Sequence, residues 1–197
     1  MNWAPPAHCR GLLFDCDGTL VDSMPLHYRA WCTTLHRHGL TFPEAQFYAW
    51  AGLPIADIIR RLSAAQGVEV DIDAVANERD QSFHSMPTQT LQPVQPVVEI
   101  ARTHRSSLPM AVATGSTHAS ACASLEAIGV LPWFAAVVSS VDVGRAKPAP
   151  DVFLAAAQAI GVPAEFCVAF EDGDTGLQAA RAAGMQAVDV RPWLNRP

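Results

Sequence analysis

Five short stretches of the chain are apolar without alternation: GLLFD (11–15), PMAVAT (109–114), AAVVS (135–139), FCVAFE (166–171) and QAVDV (186–190). A strand with one wet face alternates apolar and polar residues, so unbroken runs predict strands covered on both faces, as in a parallel sheet between helices. Helical spacing fills the gaps at about 116–128, 151–160 and 175–183. These helices are closed by Gly129, Gly161 and Gly184, the residue type that ends a helix in a left-handed cap. Strand and helix in regular succession predict an α/β fold with a Rossmann-like parallel sheet.

Residues 24 to 92 break that rhythm. Helical patterns cover 25–38, 43–50, 55–66 and 72–86, separated by Gly39, Gly52 and Gly67, and no strand is predicted among them. A proline- and glutamine-rich link, MPTQTLQPVQP (86–96), leads into a helix at about 96–104. The organisation expected is a core of residues 1–23 and 93–197 interrupted by a small helical domain at 24–92. Ligands favour clefts between domains and, in parallel sheets, the carboxyl ends of the strands.

Composition narrows the function. The chain has 197 residues, 50% of them hydrophobic and 16% charged, enough for one core with a modest insert. No apolar run approaches the ~20 residues of a membrane span, and the opening MNWAPPAHCRG lacks the basic-then-apolar layout of a secretory leader. Five cysteines (Cys9, Cys16, Cys32, Cys122, Cys167) form no C-x-x-C pair, which argues for a reducing compartment and against a zinc site. A net charge of −6 argues against nucleic acid; the one adjacent basic pair is Arg60–Arg61. The expectation is therefore a cytoplasmic monomer with neither a membrane nor a nucleic-acid partner. Of 13 basic residues 12 are arginine, and Lys147 is the sole lysine. Genomic bias alone would produce that skew, but a lone lysine is also a candidate for a task that needs a compact ammonium.

Chemistry gathers where the strands end. The first run finishes in Asp15-Cys16-Asp17-Gly18-Thr19, the second in Thr114-Gly115-Ser116 and the fourth in Glu171-Asp172, while Lys147 follows the third in GRAKPAPD. Parallel strands present their carboxyl ends to one edge, so four carboxylates, a hydroxyl and the lysine are expected to converge. Such a cluster of hard oxygen atoms calls for a divalent cation, and Mg²⁺ suits it because it retains positions for water and a phosphate. An EF-hand is excluded, since the sixth and twelfth positions from Asp15 are Leu20 and Leu26. Thr114 with the N–H groups of Gly115 and Ser116 at a helix start offers an anion-binding corner. Taken singly, each feature also reads as a turn, a cap or a solvated loop; their joint order favours phosphoryl transfer.

DCDGT, ATGS, KPAPD and FEDGDTG, in this order, resemble the four motifs of the haloacid dehalogenase superfamily, and the likeness spans nearly the whole chain. The branch it resembles contains β-phosphoglucomutase and bacterial sugar phosphatases. MAVATGS and AARAAGMQAVDVR are similar to the small fructose-1-phosphate / 6-phosphogluconate phosphatases. The resemblance implies a mobile helical cap at 24–92 and a small phosphorylated metabolite as substrate. It implies Asp15 as nucleophile, Asp17 as acid and base, and Thr114 and Lys147 as holders of the phosphoryl group. Mg²⁺ would be bound by Asp15, Asp17 (through its backbone carbonyl), Glu171 and Asp172. Gly115, Ser116, His27, Arg79 and His118 are the candidate substrate contacts; His27 reads equally as a solvated helix residue, and Arg79 as an ordinary surface arginine. A phosphonatase would need a lysine in the cap, which this one lacks, and a dehalogenase has no use for Asp17. A sugar phosphomutase is the alternative, weakened by Ile55, which stands where a phosphate-gripping arginine is expected. A binding module that had lost its chemistry would lack Asp15, Asp17 or Lys147, and all three are present.

Overall fold

The computed structural model describes residues 3–50, 53–86, 91–139 and 141–194. The chain separates into two compact units, one made of Met1–Asp22 with Thr88–Arg196 and one of Ser23–Pro87.

The first unit is built on five parallel strands: β1 (Gly11–Phe14), β4 (Met110–Thr114), β5 (Ala136–Ser139), β6 (Cys167–Glu171) and β7 (Gln186–Asp189), in the order β5-β4-β1-β6-β7. β1, β4 and β6 are buried along their whole length, which is why their sequences do not alternate. Alternate residues still divide between two faces. On one, Leu13 lies level with Ala111 and Ala169 and packs on Val152, Phe153, Ala156 and Ala157 of α7 (Asp151–Ala159) and on Ala179 and Ala180 of α8 (Asp174–Ala182). The alanines leave room for those helices to seat closely. At the neighbouring register Phe14 stacks on Phe170, ring centroids 4.7 Å apart, with Phe134 edge-on at 5.8 Å. Two more helices complete the unit, α5 (Gln95–His104) and α6 (His118–Ala127).

Two strands escaped the sequence reading. β2 (Val21–Asp22) and β3 (Gln92–Pro93) form an antiparallel pair, Val21 opposite Pro93 and Asp22 opposite Gln92. Each has two residues, too few to show a period, and proline is tolerated because it lies at an edge. Gln92, read as the end of the insert, thus pairs with Asp22 in this strand pair.

The second unit is helical: α1 (Met24–Arg37), α2 (Glu44–Ala49), α3 (Ile55–Gln66) and α4 (Ile72–His84). Its core joins Trp31 and Leu35 of α1 and Ile58, Ile59 and Leu62 of α3, at three- and four-residue spacing along each of these two helices, to Phe42, Phe47 and Val75. Asp71 caps α4, its carboxylate accepting from the Ala74 N–H at 3.0 Å. Gly52, marked by the sequence as a break between helices, lies outside the described residues. No described helix is long and apolar enough to cross a membrane.

Candidate active site

The carboxyl ends of β1, β4 and β6 meet as the sequence implied. Asp15 follows β1 directly and keeps its N–H on the Phe170 carbonyl at 3.0 Å, so it is fixed by the sheet ladder. The chain then doubles back: the Cys16 carbonyl accepts the N–H groups of Leu20 and Val21, both at 3.0 Å. This tight turn gives the two aspartates different surroundings.

Asp15 belongs to Lys147. The ammonium donates to Asp15 Oδ1 at 2.7 Å, to Glu171 Oε1 at 2.6 Å and to the Ala113 carbonyl at 3.0 Å, so all three of its protons are used. The side chains of Lys147, Asp15 and Glu171 are 10%, 9% and 4% exposed, and water does little to screen them. Asp172 completes the group: its Oδ1 accepts from the Thr19 hydroxyl at 3.1 Å. Carboxylate oxygens of Asp15, Glu171 and Asp172 lie within 4.8 Å of one another.

Three carboxylates against one ammonium leave the pocket net negative. Burial pushes the Asp15 carboxyl well above its usual range; Lys147 pulls it back in part, and Glu171 and Asp172 push it further. Burial alone would lower the Lys147 pKa, but Asp15 and Glu171 outweigh it and raise it. Buried, crowded, hard oxygen atoms with charge to spare fit a hard divalent cation, and Asp15, Glu171 and Asp172 are the side chains that could hold it.

Asp17 belongs to the turn after β4. The Ser116 hydroxyl donates to Asp17 Oδ2 at 2.6 Å, and the Ser116 N–H donates to Thr114 Oγ1 at 3.0 Å. Here one expectation changes. The helix was placed from residue 116, but α6 begins at His118 because the Thr117 hydroxyl accepts the Ser120 N–H at 3.3 Å and caps it. The Ser116 amide is therefore engaged inside the turn rather than presented at a helix start. Gly115 is exposed, with open space where a Cβ would stand. His118 is exposed beside Cys122, its ring nitrogens 3.7 and 3.8 Å from Sγ.

His27 and Arg79, named as substrate contacts, meet each other in the helical unit. Arg79 Nη2 lies 2.5 Å from His27 Nδ1, and Arg79 Nη1 donates to Asp80 at 2.9 Å. The guanidinium lies 5.3 Å from the Trp31 ring and 5.4 Å from that of Phe83, on which His27 stacks at 3.9 Å. A guanidinium cannot accept a hydrogen bond, so His27 Nδ1 is the acceptor here. Arg79 is 7% exposed, not the surface arginine of the bland reading, and its Nε has no hydrogen-bond partner. Both side chains line a cavity of about 160 Å³ whose walls are otherwise apolar, among them Trp31, Trp50, Leu53 and Ile55.

A family model for haloacid dehalogenase-like hydrolases matches residues 9–184. The chain belongs to that family. As a haloacid dehalogenase-like hydrolase it is 42% identical over 181 residues to the fructose-1-phosphate phosphatase YqaB of Escherichia coli (strain K12), covering 92% of this chain and 96% of that protein. It is 32% identical over 190 residues to hexitol phosphatase A of the same organism, covering 96% and 86%. Among solved structures it superposes on the haloacid dehalogenase-like protein ATU0790 of Agrobacterium tumefaciens with a TM-score of 0.81 and 26% identity, over 92% of this chain and 82% of that one.

Several residues that shape the hydrolase site were given no role from the sequence. Thr19 ties down Asp172, and Ser139 donates to the Ser116 carbonyl at 2.5 Å. Two glycines make room for carboxylates. Gly18, at φ 89°, passes so close to Asp172 that a Cβ would overlap the carboxylate, and a Cβ at Gly176 would overlap that of Glu171. Gly18 and Gly176 stand inside the quoted motifs DCDGT and FEDGDTG, a signal available to a reader who asks what each glycine makes room for.

Proposed function

We propose that this hydrolase is a Mg²⁺-dependent phosphatase of small sugar phosphates, of the fructose-1-phosphate or 6-phosphogluconate type, working through an aspartyl phosphate on Asp15. The observation that carries the reading is the ammonium of Lys147 bonded at once to Asp15 and Glu171, beside Asp172 in a net-negative pocket. Relatives named fructose-1-phosphate phosphatase and hexitol phosphatase support the substrate class.

Asp15, Glu171 and Asp172, with the backbone carbonyl of Asp17, would hold Mg²⁺. When bound, the ion offsets the carboxylate charge and withdraws electron density from the phosphoryl oxygens. The ionised Asp15 carboxylate attacks phosphorus, the bond from phosphorus to the sugar oxygen breaks, and the electron pair leaves on that oxygen. Asp17, as the carboxylic acid, gives its proton to the departing oxygen. In the second half Asp17 takes a proton from a water molecule as that water attacks the same phosphorus. The bond to Asp15 then breaks and inorganic phosphate leaves. The Thr114 hydroxyl and the Gly115 N–H hold phosphoryl oxygens, while Ser116, its own polar groups engaged, shapes the turn; Lys147 takes up charge that develops near Asp15. His27, Arg79 and His118 are the side chains we assign to the sugar.

The phosphatase is preferred to the mutase on the character of the cavity. Ile55 and aromatic rings line it, and Arg79 is the cation on its wall. A mutase must grip a second phosphate there, which calls for more positive charge.

A panel of sugar monophosphates assayed for free phosphate with Mg²⁺, then with a chelator, tests the reading. Phosphate release that stops on chelation and returns with Mg²⁺ is expected. Interconversion of glucose 1- and 6-phosphate without release would make it a mutase, and turnover indifferent to chelation would remove the metal.

A further inference from the structure

Ser139 is the last residue of β5, the edge strand of the sheet, level with Thr114 of β4. It is completely buried, and a buried hydroxyl requires partners. Its oxygen has two: it donates to the Ser116 carbonyl at 2.5 Å and accepts from the Val141 N–H at 3.1 Å. One atom thus ties the turn after β4 to the start of the loop that runs on to Lys147. On the far side of that tie every polar group of Ser116 is engaged, its N–H on Thr114, its hydroxyl on Asp17 and its carbonyl on Ser139.

We infer that Ser139 is a positioning residue for the proton-transfer step, holding the Ser116 backbone so that the Ser116 hydroxyl fixes the orientation of the Asp17 carboxyl. The inference rests on the proposed role of Asp17 as acid. Asp17 Oδ2 accepts from Ser116, so in the acid form the proton to be delivered is carried by Oδ1. Without Ser139 the Ser116 carbonyl loses its donor inside the protein, the turn is free to rotate, and the Ser116 hydroxyl no longer meets Asp17 Oδ2 in this geometry. Asp15, Lys147 and the other carboxylates have separate anchors and keep their places.

The effect must therefore depend on how much the leaving group needs a proton. A sugar alkoxide needs one; 4-nitrophenolate does not. The test compares kcat/KM for fructose 1-phosphate and for 4-nitrophenyl phosphate in the full-length protein with Mg²⁺. Ser139→Ala is expected to lower the sugar phosphate value by about tenfold or more and the 4-nitrophenyl phosphate value by less than about threefold, in keeping with the size of general-acid effects. Ser139→Thr, which retains the hydroxyl, is expected to restore most of the loss. Ser139→Cys, a weak donor of similar volume, is run beside them so that a poorly folded alanine variant does not decide the matter; it should show the same split as alanine. Equal losses on both substrates, or none on either, would overturn the inference while leaving the proposed function standing. A wild-type protein that releases phosphate from neither substrate overturns both.

Discussion

The two units bury their cations in opposite ways. In the sheet-bearing unit Lys147 gives all three protons to acceptors, two of them carboxylates, and negative charge is in excess. In the helical unit Arg79 has one acidic partner, the half-exposed Asp80; its other neighbours are the His27 imidazole and two aromatic faces, and its Nε is unpartnered. An unsatisfied buried donor costs about 1–3 kcal/mol, so the arginine is kept at the expense of stability.

The sharpest way to break the comparison is to remove the carboxylate that Lys147 serves. Asp15→Asn should lower phosphate release by about a thousandfold or more, as expected for loss of a nucleophile; a protein still turning over normally would end the assignment. Lys147→Arg comes next. The site has room for a compact ammonium with three short contacts, and a planar fork cannot reproduce them. A loss of about a hundredfold in kcat is expected, and a near-normal rate would make the lone lysine an accident of composition. Gly176→Ala should displace the Glu171 carboxylate and weaken Mg²⁺ binding by about tenfold or more, read from a Mg²⁺ titration of activity. Arg79→Met is the mildest. It is expected to raise KM for the sugar phosphate by up to about tenfold with little change in kcat, the signature of binding lost equally in ground and transition states.

A pH series sharpens the picture of the carboxylate pocket. Burial raises the Asp15 pKa, so as pH falls its carboxyl takes up a proton earlier than an ordinary aspartate and an incoming cation must displace it. Affinity for Mg²⁺ should therefore rise with pH and level off once Asp15 is ionised, which calorimetry between pH 5.5 and 8 would record. An affinity constant across that range would show that no proton on Asp15 competes with the ion there.

Much of this was legible in the sequence because it is local. MAVAT and CVAFE are buried on both faces and contain no alternation, so their strands could be read without tertiary knowledge. Asp15, Lys147, Glu171 and Asp172 could be brought together because parallel strands share an edge. The parts that stayed hidden depend on register or on very short elements. Nothing in VVS says that Ser139 will stand level with Thr114 and reach Ser116. Val21–Asp22 and Gln92–Pro93 pair across a gap of about 70 residues, with two residues in each strand. The start of α6 was misplaced by two residues because Ser116 and Thr117 are both plausible caps, and the choice falls to Thr117 when Ser116 is drawn off by Asp17.

The scarcity of lysine has a practical consequence. An amine-acylating reagent meets a single lysine side chain in this sequence, and in the folded protein that amine is enclosed and fully hydrogen-bonded. Mass spectrometry of the peptide bearing residue 147 after brief acylation would therefore report opening of the carboxylate pocket directly, with no engineered label.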